Sequence, residues 1–199
     1  MPLPPHAGLR VGLFGGSFNP PHEGHRRVAE TALKRLRLDA VWWLVARRNP
    51  LKDPAEVASL SARLAATRAL AAHPRFHVLP LEAWTNTLYT VDLLTALAPV
   101  LARGHFVWIM GTDTFAGLHR WKEWQVFMSQ IPLAVLARPG SVLAALNGRA
   151  ARTFRNRRLP ARLAPLLPFC APPAWCFLDM PRSPLSSTCL RHPRSCRRS

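Results

Sequence analysis

Apolar positions along this chain follow two spacings, and the way they alternate predicts the fold. A short apolar run, Val11-Gly12-Leu13-Phe14, reads as a first strand. Val28, Ala32, Leu33 and Leu36 then recur at helical spacing, while Arg26, Arg27, Glu30, Lys34 and Arg37 fill the other side. Residues 41–46, Val-Trp-Trp-Leu-Val-Ala, are continuously apolar, as a parallel strand covered on both faces requires. Helical spacing returns over residues 60–72, and residues 76–81 read as a third strand. A helix is expected from about residue 91 to near Pro99 or shortly after, followed by strands at 105–110 and 133–137. Between those strands Gly111-Thr112-Asp113-Thr114 opens a loop, with Trp121 and Trp124 on a short helix beyond it. Arg138-Pro139-Gly140 stops the fifth strand. Residues 141–173 are rich in Arg, Ala and Pro and are only partly helical by pattern; a last strand is expected at 175–178, and Ser186-Ser187-Thr188 suits the cap of a closing helix.

Strands alternating with helices at this interval imply right-handed crossovers. The expected fold is therefore α/β, a Rossmann-like open parallel sheet with helices on both faces. Five polar stretches then collect at the C-terminal ends of strands, where this architecture places ligands. They are the residues after the first strand, Arg47 to Lys52, Thr85 to Thr90, Thr112-Asp113, and Ser186 to Arg191. With 199 residues, no tandem repeat and no clear domain boundary, the chain is expected to form a single domain over 1–199, with 1–9 and 192–199 as flexible ends.

Charge narrows the class of partner without choosing it. The net charge is +17, and residues 149–199 carry eleven Arg against one acidic residue, Asp179. The first 148 residues carry sixteen Lys or Arg against nine Asp or Glu. Such a balance favours anionic partners: nucleotides, nucleic acid or anionic lipid. The N-terminal residues lack the basic start and apolar run of a signal peptide, and no apolar stretch is long enough to span a bilayer, so a cytoplasmic protein without a membrane partner is expected. Cys170, Cys176, Cys189 and Cys196 have no C-x-x-C spacing, which points to ordinary thiols.

The chemistry is concentrated in Gly15-Gly16-Ser17-Phe18-Asn19-Pro20-Pro21-His22-Glu23-Gly24-His25, where the first strand hands over to the first helix. The glycines allow close backbone approach to a ligand, and the prolines delay the helix start. His22 and His25, three apart, share one face of the opening turn. Two imidazoles beside the unbonded N–H groups of a helix start suit phosphate. Rival signatures fail on spacing: the glycines do not form G-x-G-x-x-G, there is no G-K-[ST], and the His pair is one residue short of H-E-x-x-H with no obvious third ligand. No protein-held metal is expected.

This stretch resembles the H-x-G-H signature of the nucleotidyltransferase superfamily. Within it the chain is similar over most of its length to the bacterial nicotinate-nucleotide adenylyltransferases. Asn49-Pro50-Leu51-Lys52, Tyr89-Thr90, Gly111-Thr112-Asp113, His119-Arg120-Trp121 and Ser186-Ser187-Thr188 with Arg191 match that family's later motifs in order. Leu93 departs from the pattern, standing where a Thr is usual. The resemblance implies adenylyl transfer from ATP to nicotinate mononucleotide, with release of pyrophosphate, as a step of NAD biosynthesis. It implies catalytic roles for His22, His25, Lys52 and Arg191. ATP would be bound by Gly15, Gly16, Ser17, Phe18, Gly24, Asp113, Ser187 and Thr188. Asn19, Tyr89, Thr90 and Trp121 would bind nicotinate mononucleotide, Trp121 by stacking on the pyridine ring. Mg²⁺ would arrive with ATP, held mainly by phosphate oxygens. The alternatives are a different acceptor, such as nicotinamide mononucleotide or phosphopantetheine, and a basic nucleic-acid-binding module; no nucleic-acid signature accompanies the charge, and no nucleic-acid partner is expected.

Overall fold

Each continuous apolar run becomes a strand because both of its faces are covered. The computed structural model describes residues 3–46, 58–80, 87–138 and 140–180. In chain order the strands are β1 (Arg10–Gly16), β2 (Ala40–Val45), β3 (Phe76–Pro80), β4 (His105–Gly111), β5 (Leu133–Leu136), β6 (Arg158–Leu159) and β7 (Trp175–Leu178). The helices are α1 (Glu23–Arg35), α2 (Leu60–Leu70), α3 (Thr90–Ala96), α4 (Ala98–Leu101), α5 (Thr112–Ala116), α6 (Trp124–Gln130), α7 (Val142–Leu146) and α8 (Arg149–Thr153). Among the described residues the strands form one seven-stranded sheet in the order β3-β2-β1-β4-β5-β7-β6, parallel at every pairing.

Successive strand residues feed two separate cores. Leu13, Trp42, Trp108 and Val135 face α3, α5 and α6, whose Leu94, Phe115 and Phe127 close one layer. Phe14, Trp43, Ile109 and Leu136 face the other way, onto Val28, Ala32 and Leu33 of α1 and onto Leu167 of a 3-10 segment, Ala161–Phe169. Trp42 and Trp43 are both fully buried, one in each layer. Neighbouring tryptophans in a strand point to opposite faces, which is why the 41–46 run shows no alternation.

β1 lies between β2 and β4, with Phe14 opposite Trp43 on one side and Ile109 on the other. From β1 the chain steps outward to β2 and β3, then returns to the far side of β1 to form β4. The sheet order reverses between β1 and β4, and in such sheets the crevice outside the C-terminal ends of the strands at the reversal is the usual ligand position.

Several expectations are corrected. The start of the chain makes contacts from Leu3 onward: Leu3 and Leu9 pack against the core, Gly8 N–H donates to the Arg103 carbonyl at 2.8 Å, and the His6 ring meets Trp42 edge-on. Residues 112–116 are not a loop, because α5 begins directly after β4 with Gly111 as its cap. Trp121 does not share a helix with Trp124; it closes the 3-10 turn Leu118–Arg120, and α6 starts at Trp124. The helix expected to end near Pro99 or shortly after is two helices, α3 to Ala96 and α4 to Leu101, with Pro99 in the first turn of α4, where a missing N–H costs nothing. The two-residue strand β6 carries no sequence signal. Residues 192–199, the other expected flexible end, lie outside the described residues, as does the expected cap at residues 186–188.

Candidate active site

His22 is the N-cap of α1, and it makes a reciprocal cap with His25. The Gly24 N–H donates to His22 Nδ1 at 3.1 Å, and the His22 N–H donates to His25 Nδ1 at 3.2 Å. Both contacts consume the Nδ1 lone pair, so each neutral ring carries its proton on Nε2. The rings lie 3.9 Å apart between centroids at 38°. The helix start thus fixes two imidazoles as Nε2–H donors, side by side. His22 is only 4 % exposed, and burial first, then the positive charge of Arg138, push its pKa down to about 4 against the opposing pull of Asp113. It is a neutral donor at physiological pH.

The glycines before this turn make room for aromatic rings. A Cβ on Gly15 would lie 2.5 Å from the Trp108 ring, and one on Gly16 would lie 3.0 Å from the Phe18 ring. Phe18, at φ 44°, in turn packs edge-on against His25 with centroids 5.2 Å apart. Asn19 is buried, and its side-chain oxygen accepts from the Ala58 N–H at 3.1 Å. The Ser17 carbonyl accepts from Arg63 at 2.7 Å, as does the Ala46 carbonyl at 2.6 Å, and Arg63 Nε donates to the Ala58 carbonyl at 3.0 Å. Arg63, on α2 and 3 % exposed, therefore ties the histidine loop to both ends of the 47–57 segment.

Across the crevice, Asp113 lies in the first turn of α5 and pairs with Arg138 at 2.8 Å. Arg138 follows β5, and its other terminal nitrogen reaches to 3.5 Å from His22 Nε2. His22, Asp113 and Arg138 thus meet although they come from the ends of three different strands. A second cluster, of Tyr89, Asp92 and Lys122, lies at the start of α3, while Asn19 stays with the histidine loop. Tyr89, exposed, is the N-cap residue of α3, and its N–H donates to Thr87 Oγ1 at 3.1 Å. Lys122 lies over the Tyr89 ring at 4.9 Å and reaches Asp92 at 3.2 Å. Trp121, next in sequence to Lys122, is half-buried, its ring 5.5 Å from Phe127. The Thr87 hydrogen bond, and then Lys122, hold the Asp92 carboxyl below its ordinary pKa. Lys52, Ser187, Thr188 and Arg191 lie outside the described residues.

Arg63 and Arg138 escaped the sequence reading. Arg138 was legible only as a strand stop, yet its position directly after a strand, on the ligand edge, was a usable signal. Arg63 sits on a helix with no motif, and nothing in the sequence marks it as buried.

A parallel sheet with its reversal beside β1, and paired imidazoles at the first helix start, define a nucleotide-binding α/β protein built to hold phosphates. A model described as Cytidylyltransferase-like matches residues 13–192. A protein of Brucella suis biovar 1 (strain 1330), described as a "probable nicotinate-nucleotide adenylyltransferase", is 50% identical over 183 residues, spanning 92% of this chain and 94% of that protein. One of the same description from Methylorubrum extorquens is also 50% identical, over 92% of this chain and 99% of its own. The solved structure of Plasmodium falciparum nicotinic acid mononucleotide adenylyltransferase complexed with NaAD superposes with a TM-score of 0.68 over 90% of this chain and 81% of that one, at 14% identity, a likeness of fold. The chain belongs to the cytidylyltransferase-like family and, within it, to the nicotinate-nucleotide adenylyltransferases.

Proposed function

We propose that the protein transfers the adenylyl group of ATP to nicotinate mononucleotide, giving nicotinate adenine dinucleotide and pyrophosphate, a step of NAD biosynthesis. The observation that carries this is the reciprocal His22–His25 cap, which engages Nδ1 of both rings at the start of α1, directly after β1, where the sheet order reverses. Family membership favours the nicotinate acceptor over phosphopantetheine. An oxygen of the mononucleotide 5′-phosphate attacks the α-phosphorus of ATP, the bond from that phosphorus to the β-bridging oxygen breaks, and pyrophosphate leaves with the electron pair. The nucleophile is already ionised at neutral pH, so the protein has no proton to remove. Its task is to align anions and spread their charge.

His22 and His25 are assigned to α- and β-phosphate oxygens, with the α1 backbone start and Gly24 beside them. Lys52 and Arg191 neutralise the triphosphate and the departing pyrophosphate, with Ser187 and Thr188 adding hydroxyl and backbone donors. Gly15, Gly16, Ser17 and Phe18 form the wall of the nucleotide site, and Asp113 faces the adenosine. Asn19 holds the loop that borders the mononucleotide. Trp121 stacks on the pyridine ring while the start of α3 at Tyr89 and Thr90 faces its carboxylate. Mg²⁺ enters with ATP and supplies charge neutralisation on the phosphates. Among the described residues no group of three His, Cys, Asp or Glu stands together to hold a metal. No described helix is long and apolar enough to cross a membrane; a cytoplasmic setting goes with this reaction.

Pyrophosphate release from ATP and nicotinate mononucleotide tests the assignment of His25. Replacing it with Ala removes one preorganised donor and is expected to lower turnover about 10²- to 10³-fold. Near-normal turnover of His25→Ala would remove that residue from the mechanism.

A further inference from the structure

Arg138 occupies a position that no expectation covered, and its backbone and side chain are both fixed. Its N–H donates to Thr112 Oγ1 at 2.8 Å, and its carbonyl accepts from Ser141 Oγ at 3.1 Å. Thr112 is fully buried, and its hydroxyl lies 2.7 Å from that of Ser141, so one hydroxyl pair clamps the residue from both sides. From this anchor at the end of β5 the side chain runs across the end of β4 toward the end of β1. It passes over Gly111, where a Cβ would lie 2.6 Å from Arg138 Cδ and 2.5 Å from Asp113 Oδ1. The absent side chain at Gly111 is what lets an arginine from β5 reach the histidine after β1.

What it reaches is a donor. With the Gly24 N–H on Nδ1, His22 presents Nε2–H, and the guanidinium presents N–H as well. The two stand 3.5 Å apart with no lone pair between them, an arrangement that gains energy only when an acceptor enters. On its other edge the guanidinium is held by Asp113, whose side chain is 48% exposed against 17% for Arg138. The pair keeps the cation aimed while no ligand is present.

We propose that Arg138 is a phosphate-binding residue, and that its guanidinium and His22 Nε2–H together hold one oxygen of the nucleotide's phosphate chain. The inference rests on the adenylyl-transfer assignment above and adds to it a cation supplied by β5. Asp113 orients that cation, Thr112 and Ser141 fix its backbone, and the planar fork serves carboxylate and phosphate from different nitrogens at once. A lysine presents its three donors from a single nitrogen and cannot hold the two anions from separate, coplanar positions.

The test compares wild type, Arg138→Met and Arg138→Lys in steady-state kinetics with ATP and nicotinate mononucleotide. Calorimetric titration with inorganic pyrophosphate and with MgATP, without the mononucleotide, accompanies it. Loss of a charged donor to the phosphates is expected to lower kcat/KM for ATP about 10²-fold in Arg138→Met, with KM for the mononucleotide changed less than about threefold. Pyrophosphate affinity should fall at least about tenfold in both variants. Equal losses toward both substrates, with pyrophosphate affinity kept, would mean that Arg138 only supports the fold and would overturn the proposal. Should Arg138→Met not fold, Arg138→Lys decides: weakened pyrophosphate binding supports the proposal and wild-type binding overturns it. Wild-type protein that binds MgATP but transfers nothing to the mononucleotide sinks the assigned reaction instead, whatever the variants do.

Discussion

Acidification should destabilise this protein through His22 in a calculable way. The imidazole is buried in its neutral form beside the Arg138 cation, and its pKa falls from the ordinary 6.5 to about 4. In the unfolded chain the same ring takes up a proton near 6.5. Between those values the unfolded state binds more protons than the folded one, so stability falls as pH falls from 6.5 toward 4; above 6.5 the group contributes no pH dependence. At about 1.4 kcal/mol per pH unit, the loss approaches about 3 kcal/mol at the bottom of that window. Carboxylates titrate in the same range, so the measurement is a difference. Urea unfolding of wild type and of His22→Asn is followed from about pH 7.5 in steps down to about pH 4.5, a span that covers most of the window. Asn keeps an oxygen able to cap α1, and it does not titrate. The wild type should lose about 2 to 3 kcal/mol more than the variant over this span. Heteronuclear NMR of the wild type should show His22 neutral at about pH 5 with its proton on Nε2. Parallel pH slopes in the two proteins, or a His22 ring titrating at its ordinary pKa, would refute the buried-donor account.

Two further perturbations probe the supports of the site. Arg63→Met leaves the carbonyls of Ser17, Ala46 and Ala58 without their donor; it should cost about 3 kcal/mol or more by urea unfolding, and a loss under about 1 kcal/mol would contradict the clamp. Gly111→Ala drives a methyl group into both Asp113 and Arg138 and should lower kcat/KM for ATP about tenfold or more, whereas wild-type kinetics would show that the pair has room to move aside.

The sheet was legible because burial on both faces leaves long apolar runs, such as the one through Trp42 and Trp43, that no surface element carries. The His22–His25 cap was legible because spacing alone places the two rings on one turn. What stayed hidden depends on contacts distant in sequence. Arg138 lies 116 residues from His22 and is brought to it only by the order β1-β4-β5. That a Cβ on Gly15 would meet the Trp108 ring was equally hidden, because the side chain of a neighbouring strand cannot be seen in local sequence. The contacts of His6 and Leu9 with Trp42 and the core were hidden too, because so few apolar residues at the start of the chain register no pattern.

The central claim is adenylyl transfer to an acidic pyridine mononucleotide, and the most direct test is product formation by the purified protein. With ATP and nicotinate mononucleotide, nicotinate adenine dinucleotide and pyrophosphate should appear one for one, with kcat/KM higher for nicotinate than for nicotinamide mononucleotide. Equal kcat/KM for the two would end the claim of acid preference, and no dinucleotide from either would contradict the assigned reaction itself.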